Sequence, residues 1–162
     1  MGDATLNQVN TLLSQKNRFD PFFCTENIYY ALYFCIANGN TVQGGILASK
    51  MRKYQSKEFQ PKVYAMAKTL EIMLAFETGD MEDCSRLIKN FRKSKVYGSS
   101  QVFSMVMSLM TRLVNQSKSK HPSILRNFYT KALEIEKDGQ EAIFFHYFDF
   151  SAWIESKIKL CP

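Results

Sequence analysis

Two glycine turns lie 40 residues apart in this chain, and each separates two segments with apolar residues at helical spacing. They are Asn38-Gly39-Asn40 and Thr78-Gly79-Asp80. Glycine readily adopts the left-handed conformation that ends a helix, and the Asn or Asp that follows can cap the next helix. Each turn therefore predicts a helix hairpin, and repetition at a period of about 40 residues is typical of an α-solenoid.

Apolar residues at helical spacing divide the whole chain in the same way. The segments predicted are a lone first helix over 4–16, hairpin one over 25–54, hairpin two over 60–93, hairpin three over 99–137 and a capping helix over 140–159. Pro122 suits the first turn of a helix. Strands have little support, because no hairpin dipeptide separates alternating apolar runs. We predict an all-α chain of eight helices that forms a single helical-repeat domain over 1–162.

Composition narrows the class of protein. The chain is 46% apolar, with only 7 glycines and 4 prolines in 162 residues, which excludes a disordered or low-complexity protein. No apolar run approaches the ~18 residues of a membrane span. The four cysteines have no CxxC spacing and only two histidines accompany them, so we expect no zinc site and no cofactor. A cytoplasmic location is expected, because the N-terminus has no secretion-signal pattern.

One stretch of the chain carries a resemblance to a known repeat family. Residues 75–88, AFETGDMEDCSRLI, resemble the centre of a tetratricopeptide repeat, in which a glycine turn precedes a helix with a small residue and then an apolar one. The positions that match these roles, or the comparable ones in the other hairpins, are Gly79, Cys84, Ile88, Gly39, Gly44, Ala48, Tyr129 and Ala132. The period near 40 departs from that family's usual repeat of about 34 residues. The chain therefore resembles a divergent tetratricopeptide-like repeat protein.

The end of the chain carries a second resemblance. Residues 147–157, YFDFSAWIESK, resemble the closing helix of longer, uncharacterised bacterial helical-repeat proteins. The lone first helix fits the same interpretation, because it would be the second member of a hairpin whose first member is missing. We expect the chain to represent a C-terminal part of such a protein.

The family resemblance implies a binding groove lined by the first helix of each hairpin. The residues that it places there are Tyr29, Tyr33, Met66, Thr69, Met73 and Phe76. Tyrosine and methionine suit an adaptable surface, although aromatic side chains on a helix that is apolar all round are more often core. The expected partner is a protein or peptide, which includes an upstream part of the same protein. The Lys and Asn residues that clamp a peptide carboxylate in chaperone-binding members are absent.

Basic residues favour an alternative partner. The net charge is +6, and clusters lie where the second helices of hairpins one and two end: Lys50, Arg52, Lys53, Lys89, Arg92 and Lys93. Such a basic rim could bind nucleic acid phosphates. Cations at helix C-termini also stabilise the helix dipole without any partner. Both interpretations stay open at this stage.

Catalysis has no support from motifs. The sequence contains no Walker loop, GxGxxG, GxSxG or HExxH. Its carboxylate pairs lie at helix ends or on polar faces, where solvation is the ordinary explanation. We therefore expect a noncatalytic interaction scaffold. A basic nucleic-acid-binding domain is the alternative, and a single sequence does not exclude an enzyme whose residues are scattered.

Overall fold

The computed structural model describes residues 11, 20–53, 61–94, 98 and 100–161. In this part of the chain there are helices and turns and no strands. The α-helices, which we number in chain order, are α1 (Pro21–Ala37), α2 (Thr41–Met51), α3 (Pro61–Glu77), α4 (Met81–Arg92), α5 (Gln101–Asn115), α6 (His121–Glu136), α7 (Ala142–Tyr147) and α8 (Phe150–Leu160), and a 3-10 turn (Lys118–Lys120) precedes α6. The all-α prediction is confirmed for these residues. The predicted helix over 4–16 lies outside them except for residue 11.

The two glycine turns have nearly the same geometry. Gly39 and Gly79 adopt positive φ angles of 68° and 79°. The side chain of the next residue then caps the following helix: Asn40 Oδ1 accepts from Gln43 N, and Asp80 Oδ1 accepts from Asp83 N. The predicted turns are confirmed. Helix starts follow the same offset, since α1 and α3 begin at 21 and 61, and α2 and α4 at 41 and 81.

The start of α1 differs from the sequence prediction. The sequence predicts that hairpin one begins at Thr25, but the helix begins four residues earlier because the Asp20 carboxylate accepts a hydrogen bond from Phe22 N at 2.8 Å. Thr25 lies inside the helix and is buried. Its hydroxyl donates to the Phe22 carbonyl at 2.9 Å, so it does not act as the cap.

The chain groups into two compact units, Met1–Leu74 and Ala75–Pro162. In the first unit α1 packs on α2. Gly44 lies at this contact, because a Cβ on it would be 3.4 Å from the Cβ of Cys35 and 2.9 Å from Cδ1 of Leu74. A larger residue at this position would require the Leu74 side chain to move. The prediction of one domain over the whole chain stays a prediction.

In the second unit α5 packs against both α4 and α6, and α8 packs on α6. Phe91, Phe103 and Phe144 form an edge-to-face series in its core, with ring centroids 5.7 and 4.9 Å apart. The buried carboxylate of Glu141 accepts from Ser100 Oγ and from the amides of Gln101 and Val102. It thereby satisfies two of the amides that have no partner within the helix at the first turn of α5.

The predicted capping helix over 140–159 is wrong as a single element. The structure has α7 and α8 instead, because Phe148 is extended and the Asp149 side chain accepts from Ala152 N at 2.7 Å, which starts a new helix. Trp153 of α8 is buried, and its Nε1 donates to Glu77 Oε1 at 2.9 Å. The Lys157 Nζ atom forms an ion pair with the same Glu77 oxygen at 2.6 Å.

Candidate functional site

The predicted groove residues are mostly closed to solvent. Tyr29, Met66, Thr69 and Met73 are fully buried. A fully buried side chain is not available to a ligand, so these four residues have the core role that is more frequent on such helices and do not line a groove as the family resemblance implied. The physical reason is that the first helices carry apolar residues around most of their circumference, and the deepest of these side chains form the core.

Tyr33 and Phe76, the other two predicted groove residues, are half-buried. The Phe76 ring lies against the imidazole of His121, with centroids 6.3 Å apart. His121 is itself held at the start of α6, where its Nε2 lies 2.9 Å from the Leu113 carbonyl oxygen. Phe76 therefore has a packing role within its own unit. A binding role for either residue stays a prediction.

The basic residues of the first unit are only partly presented to solvent. Lys53 is exposed and Lys50 is half-buried. Arg52 donates through Nε to Glu71, whose side chain is buried in α3. Lys68 donates to the other oxygen of Glu71 at 3.0 Å. Arg52 is thus the counter-ion of a buried carboxylate, a role that the sequence clusters did not reveal.

The basic residues of the second unit likewise include exposed lysines and one arginine that makes an intramolecular contact. Lys89 and Lys93 are exposed. Arg92 reaches α5, where it donates to Thr111 Oγ1 at 3.0 Å and to the Met107 carbonyl at 3.4 Å. In each predicted basic cluster, one exposed arginine makes an intramolecular contact, and lysines also lie at the surface.

Two of the buried cysteines are poorly suited to thiol chemistry. Cys84 is buried, and burial together with the nearby Asp83 and Asp80 carboxylates raises the pKa of its thiol to about 12. Burial also raises the pKa of Cys35. A thiol with a raised pKa is a poor nucleophile. The structure brings no three His, Cys, Asp or Glu side chains of this part of the chain together as a metal site.

An exposed apolar surface on the first two helices is the feature that the sequence analysis missed. The large apolar side chains that are exposed in the described part of the chain are Phe22, Phe23, Tyr30, Val42, Ile46, Leu133, Ile143 and Leu160. Five of them belong to α1 and α2. Tyr30 is 60% exposed and Val42 is 78% exposed, although each lies in the interior or first turn of a well-formed helix.

The signal for this surface was present in the sequence of α2. The buried residues of this helix are Gly44, Leu47, Ala48 and Met51. Val42 and Ile46 are separated by one helical turn on the opposite side of the helix. A helix with large apolar residues on two sides has more of them than its contact with α1 requires.

Comparison with known proteins gives no assignment. No family model matched the chain, and neither a curated protein nor a solved structure matched it. Among the described residues, every helix is too short or too polar to traverse a bilayer.

Proposed function

We propose that this chain is a noncatalytic module that binds a protein segment, and that the exposed apolar surface of α1 and α2 makes the contact. The observation that carries the proposal is the concentration of exposed large apolar side chains on these two helices, with Tyr30 and Val42 the most accessible of the five. Scattered apolar residues are normal on a protein surface, whereas a contiguous apolar patch marks an interaction site. The presence of five of the eight exposed residues on two helices that pack together supports such a patch.

The same proposal places the surface in an α-solenoid of stacked hairpins that α8 caps. Its support is the equal offset between the helices of the first two hairpins, with matching turns and caps, and the packing of α5 on α6 as a third pair. Solenoids use extended helical faces to hold partners. Small-angle X-ray scattering tests this architecture, since a spherical particle would contradict it.

A test of the function uses the full chain and a phage-displayed library of random 20-residue peptides. We expect selected peptides to lose at least tenfold in affinity when Tyr30→Arg and Ile46→Arg are combined, with helical content unchanged by circular dichroism. Their affinity should change little between low and high salt. Failure to select any peptide, or selection of peptides that bind the double variant equally well, would refute the proposal.

Nucleic acid binding is the second candidate, and the exposure of Lys53, Lys89 and Lys93 favours it. Phosphate contacts release counter-ions, so the affinity for a 20-nucleotide single strand would fall steeply between 50 and 200 mM salt. Binding of this kind, lost in a variant with the three lysines changed to glutamate and kept in the apolar double variant, would replace the first proposal by the second.

A further inference from the structure

The outer face of α2 combines two large apolar residues with two small ones. It consists of Val42, Gly45, Ile46 and Ser49, and we call it the α2 strip. Residues at i, i+3, i+4 and i+7 share one side of a helix, and this side lies opposite Gly44, which faces Cys35 and Leu74. Val42, Ile46 and Ser49 are exposed and Gly45 is half-buried. The α2 strip is therefore open along two turns of the helix, and it carries no charged side chain.

Helix α4 of the same chain can be compared with α2 to show which residues an outer helix face needs for folding. The offset that relates Gly39 to Gly79 also relates buried positions of the two second helices: Gly44, Leu47, Ala48 and Met51 of α2 correspond to Cys84, Leu87, Ile88 and Phe91 of α4, and all eight are buried. The positions of α4 that correspond to the α2 strip are Glu82, Ser85, Arg86 and Lys89. A second helix of this hairpin thus folds with a charged outer face, and folding does not account for the exposed valine and isoleucine of α2.

The shape of the strip favours a helix as its occupant. A Cβ placed on Gly45 would have no atom within 4 Å, so the space above this residue is open. Gly45 and Ser49 are small residues one turn apart, with the larger Val42 and Ile46 beside them. Small residues let a second helix approach closely while larger neighbours fill its grooves.

The charges in and near α2 indicate which kind of partner helix would bind the α2 strip. No carboxylate occurs in α2, and Lys53 lies in the turn that follows Met51, the last residue of this helix. Lys53 is exposed. A partner helix that runs antiparallel to α2 would bring its N-terminal turn to Lys53, and carboxylates at a helix N-terminus are favoured by the helix dipole as well. A second copy of α2 has no carboxylate to place there.

From these observations we infer that the α2 strip is a docking site for an amphipathic helix of a partner protein, bound antiparallel to α2, with apolar residues at i, i+3, i+4 and i+7 and Asp or Glu in its first turn facing Lys53. The inference rests on the proposed protein-binding function and adds the site and the chemistry of the partner.

The experiment uses the full chain and a displayed library of 18-residue helical peptides, with apolar residues fixed at i, i+3, i+4 and i+7 of successive turns and all other positions randomised. We expect selected peptides to be enriched in Asp and Glu in the first turn and not in the last. The key variant grafts residues of α4 onto α2, as Val42→Glu with Ile46→Arg, so its fold has a precedent within the same chain. Peptide affinity should fall at least tenfold in this variant, with an unchanged circular dichroism spectrum and a similar melting temperature.

The matched control is Leu160→Arg on α8, an exposed apolar residue outside the proposed surface, which should leave the affinity of these peptides within twofold. Lys53→Glu should weaken peptides with an acidic first turn by about threefold to tenfold and spare those in which the acids have been moved to the last turn. If binding is lost in Tyr30→Arg and kept in the α2 graft, the α2 site is wrong while the protein-binding function survives. If neither this library nor the random one yields peptides, both fail. Concentration-dependent dimerisation that the α2 graft abolishes would assign the strip to a second copy and overturn the inference.

Discussion

Two adjacent glycines of α2 provide a sharp test of the packing in the first unit. Gly44→Ala and Gly45→Ala introduce the same methyl group on the same helix, one residue apart. Alanine in a helix interior is favoured over glycine by about 0.5–1 kcal/mol, because glycine loses more backbone entropy on folding. Both variants receive this gain. They differ in what the new Cβ meets.

At Gly45 the new Cβ has no neighbour within 4 Å, so the propensity gain should appear in full. At Gly44 the Cβ would lie 2.9 Å from Leu74 Cδ1, which is about 0.6 Å inside the lower limit of the ~3.5–4.0 Å optimum for carbon atoms. Leu74 is buried, so its movement disturbs the surrounding core. Overpacking of this kind costs about 1–3 kcal/mol. We expect Gly45→Ala to be more stable than wild type by about 0.5–1 kcal/mol, and more stable than Gly44→Ala by about 1–3 kcal/mol.

Urea unfolding followed by circular dichroism at 222 nm measures both values. A third variant shows whether Leu74 is the cause: in a Leu74→Ala background the overlap is removed, and the difference between the two glycine variants should shrink below about 0.5 kcal/mol, the usual error of additivity. Equal stabilities of Gly44→Ala and Gly45→Ala in the wild-type background would refute the close approach of Gly44 to Leu74.

Three further predictions concern the second unit. Gly79→Ala should lower the free energy of unfolding by about 1 kcal/mol, because an L-residue in the left-handed region costs about 1–2 kcal/mol. Gly79→Asn should lower it by less. Equal urea midpoints for wild type and Gly79→Ala would show that the turn does not require glycine. Trp153→Ala should lower the free energy of unfolding by about 3–5 kcal/mol, because it removes a large buried aromatic side chain. Trp153→Phe should lower it by about 1.5–3 kcal/mol, because the hydrogen bond to Glu77 is lost. Changes below about 0.5 kcal/mol for both variants in urea unfolding would contradict the burial of the ring. Because the pKa of the Cys84 thiol in the folded protein is raised to about 12, its contribution to the free energy of unfolding is present below about pH 9 and is lost as the pH rises toward 12. In the native protein at pH 8, mass spectrometry should show that iodoacetamide labels the half-buried Cys161 and not Cys84. Labelling in the reverse order would contradict the buried thiol.

The helices and turns of this chain were predictable where the determining residues are local. Gly39 and Gly79 have left-handed geometry that few other residues adopt, and Pro122 lies in the first turn of α6. The same local chemistry was overlooked at Asp20, whose cap starts α1, and at Asp149, whose cap divides the last segment into α7 and α8.

The candidate site was much harder to predict, because exposure and ion pairing depend on residues distant in sequence. The partner of Arg52 is 19 residues away, and the hydroxyl that meets Glu141 is 41 residues away. Neither contact has a periodic signature. Burial of Met73 and exposure of Val42 also follow from which neighbours the fold supplies, since both are apolar residues at helical spacing. Comparison of α2 with α4 would have flagged the α2 strip from sequence alone, once the offset between the two glycine turns was applied to individual positions.

The contact between Trp153 and Glu77 has a consequence for biosynthesis. The two residues are 76 positions apart, so at translation rates of ~5–20 residues per second roughly 4–15 s pass between the synthesis of the carboxylate and that of the indole that donates to it. During that interval the end of α3 has neither its tryptophan nor Lys157, which lies a further turn along. Contacts of such long range close late and slow the folding of a domain. The nascent chain therefore passes through a stage in which Glu77 stays hydrated, and native packing at the end of α3 has to wait for the arrival of α8.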